Sequence, residues 1–132
     1  MPLSPALAAL ADASFVSLTT FRKTGAGVST PVWIARDGDG LIVTTPRRSG
    51  KVKRLRNDPR VTLAPCDRRG RVAEGAAVVE ASARIDADPR EVERLGRVFL
   101  AKYRLEYRVF LLIERLVTRG DRTRVMLRVT DH

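Results

Sequence analysis

Cysteine and histidine are nearly absent from this chain, with one of each among 132 residues. Cys66 alone cannot form an internal disulfide, which fits a reducing compartment. His132 is the final residue. No His/Cys cluster is available to hold zinc, and no histidine is placed to activate a nucleophile. An enzyme built this way leaves the hard chemistry to a bound cofactor. Aromatic residues make up only 5%, too few for a single-strand nucleic-acid platform of stacked bases. No apolar run approaches the length of a membrane-spanning helix. Met1 to Ala13 has no basic leader, and its apolar run Ala6 to Ala11 is too short for a signal core, so a cytoplasmic location is expected. Acids are scarce as well: 15 against 25 lysines and arginines, for a net charge of +10 and a pI near 11.1. Such a surface attracts nucleic acid, membranes or multiply charged small molecules. Arginine far outnumbers lysine, so a basic surface kept for solubility, or typical of an arginine-rich proteome, is the alternative.

What is present is an ordinary globular composition, 44% hydrophobic, in a length that fits one domain over residues 1–132. Ser4 and Pro5 read as the start of a short helix through Ala11. Alternation predicts strands over Phe15 to Arg22, Val28 to Arg36, Leu41 to Thr45, Arg60 to Cys66, Ala76 to Ile85 and a last one carrying Val125, Leu127 and Val129. Pro31 restricts the second strand to an edge or bulge, and Asp37-Gly38-Asp39-Gly40 reads as a hairpin. Ser49 is placed to cap a short helix over Gly50 to Asn57, ended by Asp58-Pro59. Asp88-Pro89-Arg90-Glu91 is a third helix start. Helical spacing follows from Val92 to Tyr103 and again from Glu106 to Val117. The apolar stretch Val92 to Leu116 suits either a cover for one barrel end or a dimer contact. Six strands of this length cannot hide both faces in a flat sheet. The expected fold is mainly β, a six-stranded split barrel with short helices.

The sharpest chemical feature runs from Arg47 to Arg60. It holds Arg47, Arg48, Lys51, Lys53, Arg54, Arg56 and Arg60 against the single acid Asp58. Ser49-Gly50-Lys51 falls where a strand hands over to a helix. First-turn amides lack partners and point at an incoming anion, Gly50 lets the backbone come close, and a hydroxyl and an ammonium complete a phosphate cradle. A solvated basic helix is the alternative. Trp33 suits either a place beside a flat heterocycle or a structural one in a core or interface. Cys66 reads as a small buried residue. Glu74 and Glu80 lack a partner carboxylate, Tyr103 and Tyr107 read first as helix packing, and Gly25-Ala26-Gly27 is a turn.

Ser29-Thr30-Pro31-Val32-Trp33, the block Ser49 to Val61, and Ala64-Pro65-Cys66-Asp67-Arg68-Arg69-Gly70 resemble the pyridoxamine 5′-phosphate oxidase-like split-barrel superfamily. Within it they resemble the flavin/deazaflavin oxidoreductases of the B branch, which use coenzyme F420. The resemblance spans Ala6 to about Thr130. It implies a homodimer with the cofactor at the subunit interface and a small-molecule substrate. It also implies a cofactor strand at Ser29, Thr30, Pro31, Val32 and Trp33, a second contact at Thr44 and Thr45, and a phosphate clamp at Ser49, Gly50 and Lys51. Lys53 and Arg54 are added because they can flank that clamp. The oxidase pattern places arginine where this chain has Gly50, which speaks against pyridoxamine phosphate oxidation and suits the deazaflavin branch. F420 carries a phosphodiester and several carboxylates, which Arg47, Arg48, Arg54, Arg56, Arg68 and Arg69 could meet. The expected activity is hydride transfer between F420 and a small electron-poor compound. FMN in the same fold, as a flavin reductase or flavoprotein, and a non-catalytic F420 carrier are the alternatives. No metal and no nucleic-acid or membrane partner is expected.

Overall fold

The computed structural model describes residues 3–104 and 123–131. In chain order the elements are α1 (Pro5–Leu10), β1 (Phe15–Phe21), β2 (Gly27–Val32), β3 (Ile34–Asp37), β4 (Gly40–Pro46), α2 (Gly50–Asn57), β5 (Arg60–Cys66), β6 (Val79–Asp86), α3 (Pro89–Tyr103) and β7 (Arg124–Thr130). The predicted helix from Glu106 to Val117, with Tyr107, lies outside the described residues, as does His132.

The strands form one antiparallel sheet in the order β2-β1-β5-β6-β7-β4-β3. This corrects the six-stranded barrel. The run Val28 to Arg36 is two strands: residues up to Val32 pair with β1, and from Ile34 the chain pairs with β4. The sheet's two edges are therefore the two halves of one run, joined through Trp33. Among the described residues β2 and β3 do not pair with each other, so seven strands curl round without closing by hydrogen bonds. Alternation could not show this, because the inward positions Val32 and Ile34 keep their period of two across the change of partner.

The inner face holds the main core. Every strand contributes, from Val16 and Leu18 through Ile34, Val43, Leu63 and Ala83 to Leu127 and Val129. α1 inserts Leu7 and Leu10, and α2 inserts Leu55. Ser4 caps α1 by accepting from the Leu7 amide at 3.4 Å, with Pro5 in the first turn.

A second cluster lies outside the sheet. α3 lays Leu95, Phe99 and Tyr103, spaced by one turn, on Ala35, Ile42 and Met126 of β3, β4 and β7. The first half of the Val92 to Leu116 stretch thus covers a sheet face. Asp88 caps α3 by accepting from the Arg90 amide at 3.0 Å, with Pro89 in the first turn, as the sequence predicts. The Tyr103 hydroxyl accepts from the Ile34 amide (3.0 Å) and sits 2.7 Å from the Ser14 carbonyl, to which it donates.

Asp37 ties these layers together. Its carboxylate accepts from Arg94 of α3 at 2.9 Å and from Arg128 of β7. The Arg94 hydrogen bonds, followed by those of Arg128, hold its pKa down to about 2 against the opposing effect of burial. A folded pKa below the unfolded value means the contribution is complete above the unfolded pKa and is lost as pH falls through the folded one. The urea midpoint of the wild type should therefore drop between about pH 4 and pH 2, and Asp37→Asn should flatten part of that drop. An identical acid limb in the variant would remove Asp37 as a cause.

Candidate functional site

The predicted corner forms where β4 ends. Pro46 closes the strand, its carbonyl accepts from the Ser49 amide at 3.0 Å, and α2 begins at Gly50. Ser49 takes the cap position with extended backbone, yet its side chain caps nothing. This corrects the capping assignment. The Ser49 hydroxyl instead accepts from Thr45 Oγ1 at 3.1 Å. The first helical bond is from the Lys53 amide to the Ser49 carbonyl. The amides of Gly50, Lys51 and Val52 meet no protein acceptor among the described residues.

Three cations surround these amides. Lys51 is half-buried, and its pKa is lowered first by burial, then by the charges of Arg54 and Arg124. Arg54 is held by a 2.6 Å bond from Nε to Thr20 Oγ1. Arg124, at the start of β7 opposite Pro46, donates from Nε to Thr44 Oγ1 at 2.9 Å. Among the described residues no carboxylate pairs with Lys51 or Arg54. The first turn of α2 contains no acid, although an acid there would be favoured by the helix dipole. Cations crowded at a positive helix end repel one another, and an anion relieves that repulsion.

Thr44, Thr45, Ser49, Gly50, Lys51 and Arg54 are thus brought together as the sequence predicts. Arg124 and Thr20 were missed. A threonine on the inward face of β1, in step with Val16 and Leu18, is the signal that could have found Thr20. Arg124 becomes visible only through the β4–β7 register. Beside the corner, a cleft of about 270 Å³ is lined by Phe21, Arg22, Lys23, Gly50, Lys53, Arg54 and Asn57. Lys53 lies there with Arg22 and Lys23, two cations that read from sequence only as strand end and turn.

The predicted strand Ser29 to Trp33 is divided. Ser29 Oγ lies 2.6 Å from Thr19 Oγ1. Thr30 Oγ1 is buried with no partner among the described residues. Pro31 is exposed on the edge strand, packed against Gly70, and Val32 is buried in the core, so only its backbone can face a ligand. Trp33 stacks on Tyr103, centroids 4.6 Å apart and planes 12° apart. Tyr103 bonds to Ser14, just before β1, whereas Arg54 bonds to Thr20 near its far end. Six residues of strand, roughly 20 Å, separate these two anchors along β1, while the pairing of Ile34 with Val43 keeps the Trp33 backbone close to Thr44 on β4.

The lesser candidates gain no role, and Cys66, expected to be buried, is only half-buried. Cys66 lies on β5, and burial followed by the Asp67 charge pushes its thiol pKa up, away from reactivity. Glu74 and Glu80 are exposed. Arg68 and Arg69 sit on a turn ordered by Asp67, which accepts from the Arg69 and Arg71 amides at 2.8 and 2.9 Å. The described residues contain no cluster of three or more metal-ligating side chains and no helix long and apolar enough to cross a membrane.

Residues 3–130 match the sequence pattern of the family described as Pyridoxamine 5′-phosphate oxidase. The chain belongs to that family. No curated protein matches it. Among solved structures, a conserved hypothetical protein of Mycobacterium tuberculosis is similar at 23% identity, covering 98% of this chain and 86% of that one, with a TM-score of 0.66. An F420 reductase is similar at 18% identity over 98% and 96%, with a TM-score of 0.60. The heme storage protein HutZ of Vibrio cholerae is similar at 15% over 100% and 92%, with a TM-score of 0.62. At these identities the likeness shows a shared fold. Within the pyridoxamine 5′-phosphate oxidase family that fold serves oxidoreductases, and proteins named for other roles share it.

Proposed function

We propose that this chain is an F420-dependent oxidoreductase that binds the anionic end of the coenzyme at the Lys51 corner. The observation that carries the reading is the Lys51 and Arg54 cations beside three amides with no protein acceptor at one helix start, with no carboxylate pairing either cation among the described residues. Every group there is a donor or a positive charge, and a phosphodiester offers only acceptor oxygens. The donor set therefore fits such a group.

Ser49, Gly50 and Lys51 would hold the phosphate by amide, hydroxyl and ammonium, with Arg54 and Arg124 closing the sides. Lys53, Arg22 and Lys23 extend positive charge along the adjoining cleft. A coenzyme with carboxylates beyond its phosphate uses that extension, whereas FMN needs only the corner. When bound, the deazaflavin supplies hydride transfer to or from a small electron-poor compound. The protein supplies position and electrostatics. The corner holds no acid among the described residues, so a proton required by the substrate comes from solvent. We take the working unit to be a homodimer with the ring at the subunit interface, as the resemblance to the family implies.

Titration of the purified protein with F420 and FMN side by side tests this reading. The expected result is micromolar or tighter binding of F420, weaker binding of FMN, and reduction of an enone or quinone by reduced F420. Failure of both coenzymes to bind removes the proposal. Tight F420 binding with no turnover on such acceptors makes the chain a carrier. FMN bound more tightly than F420 makes it a flavoprotein of the same fold.

A further inference from the structure

Arg54 is held by a residue of β1, Thr20, that lies outside the corner's own strand and helix. Thr20 is fully buried on the inner face of β1, where a hydroxyl needs a partner. That partner is Arg54 Nε, at 2.6 Å. The other end of the guanidinium lies against Gly50. A Cβ built there would stand 2.8 Å from Nη1, 3.4 Å from Cζ and 3.5 Å from Nη2. The flat group thus lies against the first turn of α2 at Gly50. Among the described residues neither Nη group has an acceptor. The Nε bond uses one of five donors and leaves four on the fork.

We infer that Thr20 is a positioning residue that fixes Arg54 across the helix start, and that glycine at position 50 is the space this placement requires. The inference rests on the corner being an anion site and adds how its second cation is aimed. A free arginine side chain samples many rotamers, and ordering it on ligand binding costs entropy. Thr20 has already ordered it. The Nη pair is then presented as a fork, which suits two oxygens of one phosphate. Gly50 matters here for its missing side chain, since its φ is not positive. An alanine there would push the fork away from the helix start, because the atom it meets is the movable end of a long side chain.

The test uses the full-length protein with inorganic pyrophosphate as the first probe and F420 as the second. Thr20→Val, Thr20→Ser and Gly50→Ala are each made alone and in an Arg54→Gln background. Thr20→Val and Gly50→Ala should each weaken pyrophosphate binding about three- to tenfold, and Thr20→Ser should stay within about twofold of wild type. In the Arg54→Gln background none of the three should matter. In ligand-free protein, the Arg54 Nε proton should exchange faster in Thr20→Val than in wild type. The inference is overturned if Thr20→Val binds like wild type, or if it weakens binding equally without Arg54. It is also overturned if wild-type protein binds neither probe. Pyrophosphate results as expected, with no F420 or FMN binding, would uphold the arginine placement and reject the coenzyme.

Discussion

Replacing Lys51 by methionine should weaken F420 binding about 10- to 150-fold while leaving the ligand-free protein at least as stable as before. The first half follows from one lost charge-assisted hydrogen bond, about 1.5–3 kcal/mol. The second follows from the direction of the Lys51 shift. Burial and the neighbouring Arg54 and Arg124 lower its pKa, so the folded state holds the charged form less readily than the unfolded chain does. A lysine in that position contributes unfavourably near neutral pH, and the burden lifts as pH rises through its lowered pKa toward the ordinary value. Methionine keeps the apolar stem and discards the charge. Binding should also have a pH signature. Wild-type affinity should fall as the solution becomes alkaline, beginning below the range of an ordinary lysine, and that limb should vanish in Lys51→Met. Isothermal titration across pH, with urea unfolding of the same samples, reads both halves. Unchanged affinity in Lys51→Met would refute the anion corner, and a large loss of stability would recast Lys51 as structural.

The contrast between Lys51 and Trp33 shows what the sequence could convey. Lys51 was legible because its role depends on local order: a strand that stops at Pro46, a helix that starts at Gly50, and charge clustered between. The caps Ser4-Pro5 and Asp88-Pro89 were legible for the same reason, since one hydrogen bond within a few residues decides each. Trp33 depends on where α3 lands, 70 positions later in the chain, and alternation carries no such information. The change of partner at Trp33 was hidden because the inward side chains keep their period across it. Arg124 was hidden because only the β4–β7 register places it beside Thr44. Ser49 was misread because a hydroxyl at a cap position has a nearby competitor, Thr45, that propensity does not weigh.

Phe99→Ala should destabilise the protein by about 3–5 kcal/mol, a large share of the roughly 5–15 kcal/mol that holds a typical domain. Phe99 is fully buried between α3 and the outer sheet face. Its ring is 6.1 Å from that of Tyr103, which in turn stacks on Trp33. Removing it opens a cavity at the point where the chain passes from β2 to β3 and leaves Tyr103 less firmly placed to accept from the buried Ile34 amide. Trp33 is the sole tryptophan, so its fluorescence reports this region directly during urea unfolding. Phe99→Leu should cost much less, because it refills most of the space. Both variants should still bind F420 under native conditions, since Phe99 contributes no group to the Lys51 corner. A shift below about 1 kcal/mol in Phe99→Ala would mean that α3 is a detachable cover. Such a result would leave the inner core to hold the curled sheet without it.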